Sequence, residues 1–268
     1  MRDYLGTGLV QKRGVPSILM PTTSGTGAEI TPNSLFYVPE ARDKKAIVSP
    51  YTIPDVAIVD PLLTLTVPAS VTAATGVDAL CHAVESYTSV NAGPMTDMYA
   101  LEAIRLIALS LRTAVGNGSD LFAREAMARG SMFAGISIAN AGTNAVHALA
   151  YPLQGQHRIT HGIANSLMLP YVLDFNAVSN LAKFAKVAEA MGEPVSGLSP
   201  REAALRSVSA CRDLSQDVGI PQHLSQVGVH AEHLDDLVEG AMGVTRLLAN
   251  NPRKVTREDA RAIFEQAL

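Results

Sequence analysis

The chain changes character near residue 60. Before that point, short runs rich in β-forming residues alternate with turns, and several of them begin or end at proline. Such runs predict strands, and they lie at residues 15–21, 34–38, 44–50 and 56–61. After residue 66, long patterns with helical spacing take over. The chain therefore predicts a strand-bearing region followed by an all-helical one.

The helical region begins near Pro68, which suits the first turn of a helix running towards Tyr87. Further helices are predicted at residues 94–115, 119–140, 143–151, 161–176, 179–191, 200–218, 232–242 and 256–268. The strands before them have very little helix to cover a sheet, although a sheet must bury one face. We therefore expect residues 1–62 to be part of an α/β domain and residues 63–268 to form an all-helical domain.

Composition excludes several classes of function. The 268 residues are 47% hydrophobic and carry a net charge of only −4, as in an ordinary globular protein. The absence of a basic block argues against nucleic acid as a partner. The longest apolar runs contain Gly, Asn and Thr, so no membrane association is expected. Cys81 and Cys211 lie outside any CxxC pair, which predicts no disulfide framework and a reducing cytoplasm.

One predicted helix places ionisable side chains in an apolar setting. Asp78 and His82 are four residues apart in "GVDALCHAVE", so they share a helix face, and Glu85 lies nearby. A lone pair of this kind is more often a carboxylate that fixes a buried histidine tautomer than half of a metal site.

Two later histidines add a second interpretation. His147 lies in a short apolar helix that Pro152 is expected to end, and His161 opens the next helix. Three neutral imidazoles and one carboxylate suit Fe²⁺ or Zn²⁺ and could leave a coordination position open for substrate. His157 competes with His161, but its polar neighbours favour a solvated loop position. Spacing alone leaves the structural and metal-binding interpretations open.

Four blocks of sequence, in order, resemble the iron-containing (group III) alcohol dehydrogenase family. They are "PTTSGTGAEIT", "ATGVDALCHAVESYTS", "AGTNAVHALAYPL" and "THGIANSLMLPYVLDFN". The resemblance implies a multi-domain, dehydroquinate synthase-like fold, with a partial N-terminal dinucleotide-binding α/β region and a C-terminal all-helical metal-binding domain. It also implies that Fe²⁺, or alternatively Zn²⁺, is bound by Asp78, His82, His147 and His161. Glu85 would support these ligands from outside.

The same resemblance implies an activity. An alcohol dehydrogenase or aldehyde reductase of this family transfers hydride between its substrate and NAD or NADP, while the metal acts as a Lewis acid on the alcohol or carbonyl oxygen. Small alcohols or aldehydes are the expected substrates, and a homodimer or larger homo-oligomer is the expected assembly. Thr22, Thr23, Thr26, Leu35 and Lys44 match positions along the nicotinamide dinucleotide.

The chain departs from the family pattern in two places. The glycine-rich "GGGS" turn that binds the pyrophosphate is not found, so we expect an incomplete chain with weakened dinucleotide affinity. Many members carry a further histidine four residues after the third ligand, and Tyr151 stands there instead. We expect Tyr151 to contact the substrate oxygen, whereas packing before Pro152 is the structural alternative.

Other interpretations stay open at this point. A helical metal-binding remnant without cofactor would explain the missing glycine-rich turn. A Zn²⁺ enzyme related to glycerol dehydrogenase or dehydroquinate synthase would share the architecture. A hydrolase could use the same ligands, but it would leave "PTTSGTGAE" without a role.

Overall fold

The computed structural model describes residues 2–38 and 43–268, without the side chains of residues 37, 43 and 44. Five strands lie in the first sixty residues: β1 (Gly6–Thr7), β2 (Ile18–Leu19), β3 (Asn33–Val38), β4 (Asp43–Val48) and β5 (Val56–Ala57). The longer strands β3 and β4 are antiparallel neighbours, and β1 pairs in parallel with the other side of β4. A parallel pair of β2 and β5 forms a second small sheet. Each of the four predicted runs contains a strand, although β2 and β5 are only two residues long, and β1 was not predicted.

The strands leave apolar side chains in solvent. Ile18 is 62% exposed, and Leu19, Met20, Val56 and Ile58 are exposed as well. Antiparallel sheets commonly bury one face against another layer. The described part of this segment, residues 2–62 without 39–42, supplies short 3₁₀ turns but no α-helix as such a layer.

Residues 69–268 hold ten α-helices, with two short 3₁₀ helices between the seventh and the eighth. They are α1 (Ala69–Thr88), α2 (Pro94–Gly116), α3 (Leu121–Ala141), α4 (Ala145–His157), α5 (His161–Ala177), α6 (Leu181–Ala190), α7 (Pro200–Asp217), α8 (Leu234–Met242), α9 (Thr245–Leu248) and α10 (Arg257–Ala267). The α/β-plus-helical fold class is confirmed. The four-residue α9 was not predicted.

The helices α1 to α10 form the helical body, residues 69–268, and α1 lies at its centre. Every residue from 76 to 89 is buried, including the polar ones. Helices α2, α3, α4, α5 and α6 all contact it. Small residues let them approach closely, and a Cβ added at Gly76 would lie only 2.3 Å from Leu111 Cδ1. A helix buried on all sides must bury whatever polar side chains it carries, and such groups need partners.

Two glycines join the strand segment to the helical body. Gly27 has φ +58°, which favours glycine, and a Cβ there would lie 2.6 Å from the Cα of Gly135 on α3. A Cβ on Gly135 would in turn lie 2.9 Å from Ile30 Cδ1. The turn within "PTTSGTGAE" thus rests directly on the backbone of α3.

The expected end of α4 was wrong. The helix continues through Pro152 to His157, and Arg158 ends it with φ +57°. Proline removes one backbone donor, the N–H that would bond the carbonyl of Ala148. Because α4 packs against α5 and α8, it tolerates that loss. His157 is accordingly a helical, half-buried residue whose ring lies 4.6 Å from the ring of His233, and not a solvated loop residue.

In residues 2–38 and 43–268, no helix has the length and apolar character needed to cross a membrane.

Cys81 and Cys211 are free and buried, one in α1 and the other in α7.

Candidate metal centre and cofactor cleft

Three helices bring the four predicted ligands together. Asp78 and His82 lie on α1, His147 lies in the first turn of α4, and His161 is the first residue of α5. One ligand atom from each lies within 4.8 Å of the others. The Nε2 atoms of His82 and His147 are 3.1 Å apart, and Nε2 of His161 is 3.7 Å from Oδ2 of Asp78.

A glycine allows α5 to start so close to α1. A Cβ on Gly162 would lie 2.6 Å from the carbonyl oxygen of Ala74, so any larger residue would push the helices apart. This contact positions His161, the preceding residue, beside Asp78. The close approach of α5 to α1 therefore explains why glycine follows His161 in the fourth sequence block.

Each imidazole is oriented by a partner on its Nδ1 atom. His82 Nδ1 lies 3.3 Å from the carbonyl oxygen of Gly25, and His161 Nδ1 lies 2.9 Å from Oε1 of Gln154. His147 Nδ1 bonds the carboxylate of Glu85. Because Nδ1–H is donated outwards, the lone pair on each Nε2 faces the cluster. All three rings are thus in the tautomer that a metal requires.

Glu85 binds the start of α4 as well as the imidazole. Its Oε1 accepts the backbone N–H groups of Asn144 and Val146, each at 2.9 Å, and of His147 at 3.3 Å. The first N–H groups of a helix have no partners within it, and a carboxylate satisfies them and favours their positive end. One buried carboxylate thereby fixes both the entry of α4 and the ring of His147.

The ionisation states of the cluster follow from burial and mutual charge. Burial alone raises the pKa of Asp78, but the facing imidazoles of His161, His82 and His147 and the amide of Asn165 outweigh it and lower the pKa to about 2. Burial lowers the pKa of His82, against the opposing effect of Asp78. At neutral pH the site offers an ionised carboxylate and a neutral imidazole, as metal coordination needs.

The donor set fits a divalent transition metal. Three imidazole nitrogens and one carboxylate oxygen converge from buried or half-buried side chains. Imidazole suits both iron and zinc, and the mixed nitrogen and oxygen set selects neither over the other. Asp78, His82, His147 and His161 are the residues that would hold the ion.

The three histidines of the cluster line an open cleft of about 700 Å³, while Asp78 beside them is buried. Tyr151 lines the cleft one turn beyond His147, and the strand segment contributes Thr26 and Leu35 to the lining. Asn140 and Arg246 add polar groups from α3 and α9. The cleft is large enough for a small substrate beside part of a larger ligand.

The predicted cofactor residues are only partly brought together. Thr26 and Leu35 line the cleft with the histidines, and Oγ1 of Thr26 accepts the N–H of Ala28 at 3.2 Å. Thr23 is half-buried at a separate small cavity, and Thr22 is exposed. The backbone of Lys44 lies in β4, and its side chain is outside the described part of the chain.

Comparison with known proteins decides the family. Residues 72–268 match the family model for the C-terminal part of the Fe-containing alcohol dehydrogenases. Residues 1–61 match the family model for iron-containing alcohol dehydrogenase. The chain belongs to the iron-containing alcohol dehydrogenase family. The predicted oxidoreductase family is thereby confirmed. The iron of the family's name and the NAD in the name of one relative, the NAD-dependent methanol dehydrogenase of Bacillus methanolicus, agree with the predicted cofactors.

Individual relatives agree with this family. Long-chain-alcohol dehydrogenase 1 of Geobacillus thermodenitrificans is 48% identical over 268 residues, covering 99% of this chain and 67% of the relative. The 1,3-propanediol dehydrogenase of Klebsiella pneumoniae is 45% identical over 265 residues, covering 99% and 68%. A crystal structure of 1,3-propanediol oxidoreductase superposes with a TM-score of 0.96 at 44% identity, covering 99% and 69%. The chain thus spans about two thirds of the length of these relatives.

Three further residues, which the sequence patterns did not single out, contact the predicted ligands. Gly25 acts through its backbone carbonyl, which no side-chain pattern could indicate. Gln154 contacts His161 from the neighbouring helix α4, and Asn165 contacts it from one turn further along α5. Asn165 could have been found, because it stands four residues after His161 and therefore on the same helix face.

Proposed function

We propose that Asp78, His82, His147 and His161 bind one divalent ion, Fe²⁺ or Zn²⁺, in an NAD(P)-linked alcohol dehydrogenase or aldehyde reductase. The observation that carries this proposal is the convergence of three oriented Nε2 atoms and an ionised carboxylate, with the three imidazole rings lining a cleft. An ion bound there would supply Lewis-acid polarisation of an alcohol or carbonyl oxygen. The protein's own contribution is the prior orientation of all four donors.

The nicotinamide dinucleotide would lie along the strand segment, with Thr26 and Leu35 facing its reactive end. These two residues share the cleft with the metal ligands, which hydride transfer requires of a cofactor and substrate. Thr22, Thr23 and Lys44 would contact more distant parts of the same molecule. Residues 1–62 would then act as the cofactor domain and residues 63–268 as the metal domain.

The substrate would be a small alcohol or aldehyde. Relatives named for long-chain alcohols, 1,3-propanediol, methanol and lactaldehyde share 38–48% identity with this chain. The open cleft of about 700 Å³ is compatible with this range, because it does not enclose one chain length. Self-association into a homodimer or larger oligomer and a cytoplasmic location belong to the same proposal.

Tyr151 would contact the substrate oxygen. It stands four residues after His147, on the same face of α4, and lines the same cleft. Its hydroxyl can donate a hydrogen bond or relay a proton. In an active, metal-loaded form, Tyr151→Phe should lower kcat/KM for aldehyde reduction by roughly 10²-fold or more, within the range of general acid–base catalysis. Unchanged turnover and substrate affinity would leave Tyr151 a packing residue.

The test of the proposed function is a titration of the metal-loaded chain with NADH and NADPH, followed by aldehyde reduction monitored through cofactor absorbance. Saturable cofactor binding, together with turnover that is lost in His147→Ala, supports it. Turnover that survives His147→Ala would contradict the role of the metal. Metal retention without cofactor binding would favour the metal-binding remnant as the function of this chain.

A further inference from the structure

Asn165 lies inside the candidate metal centre, although it belongs to none of the four predicted ligands. Its side chain is fully buried on α5. The amide nitrogen Nδ2 is 2.7 Å from Oδ1 of Asp78, 3.0 Å from Nε2 of His147 and 3.1 Å from Nε2 of His161. One amide group therefore contacts three of the four prospective ligand atoms, and those contacts come from three different helices.

The carbonyl end of the Asn165 side chain does not explain why an amide stands at this position. The carbonyl oxygen Oδ1 is buried without a hydrogen-bond partner. A buried amide with one unsatisfied end is less favourable than an apolar side chain of the same shape. The bonds made by the Nδ2 end must therefore account for an amide at this position. They point into the cluster, so the explanation belongs to the metal centre and not to the helix.

The strongest of these bonds is the one to Asp78. It is the shortest of the three, and an N–H bond to a carboxylate is charge-assisted. Asp78 lies opposite three imidazole rings, and in the absence of a fixed donor its carboxylate could rotate about its side-chain torsions. Replacing a residue that holds a ligand in this way commonly weakens metal affinity by a factor of about 10–100.

We propose that Asn165 is a positioning residue of the metal centre, whose amide holds the Asp78 carboxylate in its ligating orientation. The proposal rests on the metal centre of the proposed function. Asn165 acts through Asp78 and contributes no ligand atom of its own. It stands one helical turn after His161 on α5, so its amide lies beside both Asp78 Oδ1 and His161 Nε2.

The test compares metal affinity in Asn165→Ala with a matched neighbour, Ser166→Ala. Ser166 is buried on the same helix, and its hydroxyl has no partner, so its removal changes buried volume without changing the cluster. Zn²⁺ affinity is measured by competition with a fluorescent chelator. We expect Asn165→Ala to raise the Kd roughly 10–100-fold and Ser166→Ala to change it less than about twofold. Asn165→Leu, which fills the volume without a donor, should behave as Asn165→Ala does.

A spectroscopic measurement separates positioning from support of the fold. The visible absorption bands of bound Co²⁺ report the arrangement of its ligands, which a loss of packing elsewhere would not alter. We expect the bands to change in Asn165→Ala and Asn165→Leu and to stay the same in Ser166→Ala. An unchanged Kd and spectrum in both Asn165 variants would overturn the role of Asn165 alone. Failure of the unsubstituted chain to bind Zn²⁺ would overturn the metal centre, and this inference with it.

Discussion

The strand segment exposes many of its apolar side chains to solvent, whereas the helical body buries most of its own. In the body, Phe184 and Leu149 are 1% and 0% exposed, and the central helix α1 is buried from Gly76 onwards. In the segment, Ile18 is 62% and Val56 46% exposed. All four prospective metal ligands belong to the body. The difference indicates that the body carries most of the stability and all four prospective ligands, whereas the segment contributes part of the lining of the cleft.

The largest effect should come from a large-to-small change in the body. Phe184→Ala removes a fully buried ring and should lower the free energy of unfolding by about 3–5 kcal/mol. Ile18→Ala in the segment should stay within about 0.5 kcal/mol, because the side chain is already in solvent. Urea denaturation followed by circular dichroism measures both. A loss of more than about 1 kcal/mol for Ile18→Ala would show that something covers the segment in solution.

Metal binding should stabilise the body without protecting the small sheet of the segment. Zn²⁺ at 100 times its Kd should add about 2.7 kcal/mol to the free energy of unfolding. Hydrogen exchange should slow in α1, α4 and α5, which hold the ligands, and stay unchanged in β2 and β5.

His147→Ala should abolish both effects, since it removes a central ligand. His230→Ala is the matched control, because His230 is exposed and lies far along the chain from the cluster. A Zn²⁺ effect that persists in His147→Ala but disappears in His230→Ala would place the ion elsewhere.

The joint between the two regions should respond to one added methyl group. Gly135→Ala places a Cβ 2.9 Å from Ile30 Cδ1 and 3.0 Å from the Cα of Gly27, so the turn must move away from α3. Overpacking of this kind costs about 1–3 kcal/mol. We expect faster proteolysis within residues 2–62 while the body stays intact.

Gly116→Ala, at the end of α2 with nothing within 4 Å of the added Cβ, provides the comparison. It should leave the proteolysis rate unchanged. Equal rates for Gly135→Ala and the unsubstituted chain would mean that the segment does not depend on this contact.

Much of the fold could be predicted because the hydrophobic period changes visibly near residue 60. Long helices carry several turns of that period, and only their ends moved. The end of α4 was predicted wrongly at Pro152. The prediction considered only the local effect of proline, whereas the packing of α4 on its neighbours keeps the helix intact to His157.

The metal centre could be predicted less directly. Helical spacing relates Asp78 to His82, but nothing in the spacing relates α1 to His147 or His161, which meet through tertiary packing. The family resemblance supplied that relation. The carbonyl of Gly25 lay outside both kinds of reasoning, because a backbone atom carries no residue signature.

Glu85 bonds the first turn of α4 and the ring of His147 at the same time. The direction of that ring is therefore built into the scaffold and does not depend on which ion arrives. Anyone redesigning the centre for another metal could exchange the remaining ligands around a fixed reference point. The same arrangement makes Glu85 a poor site for change, since one substitution would disturb a helix start and a ligand together.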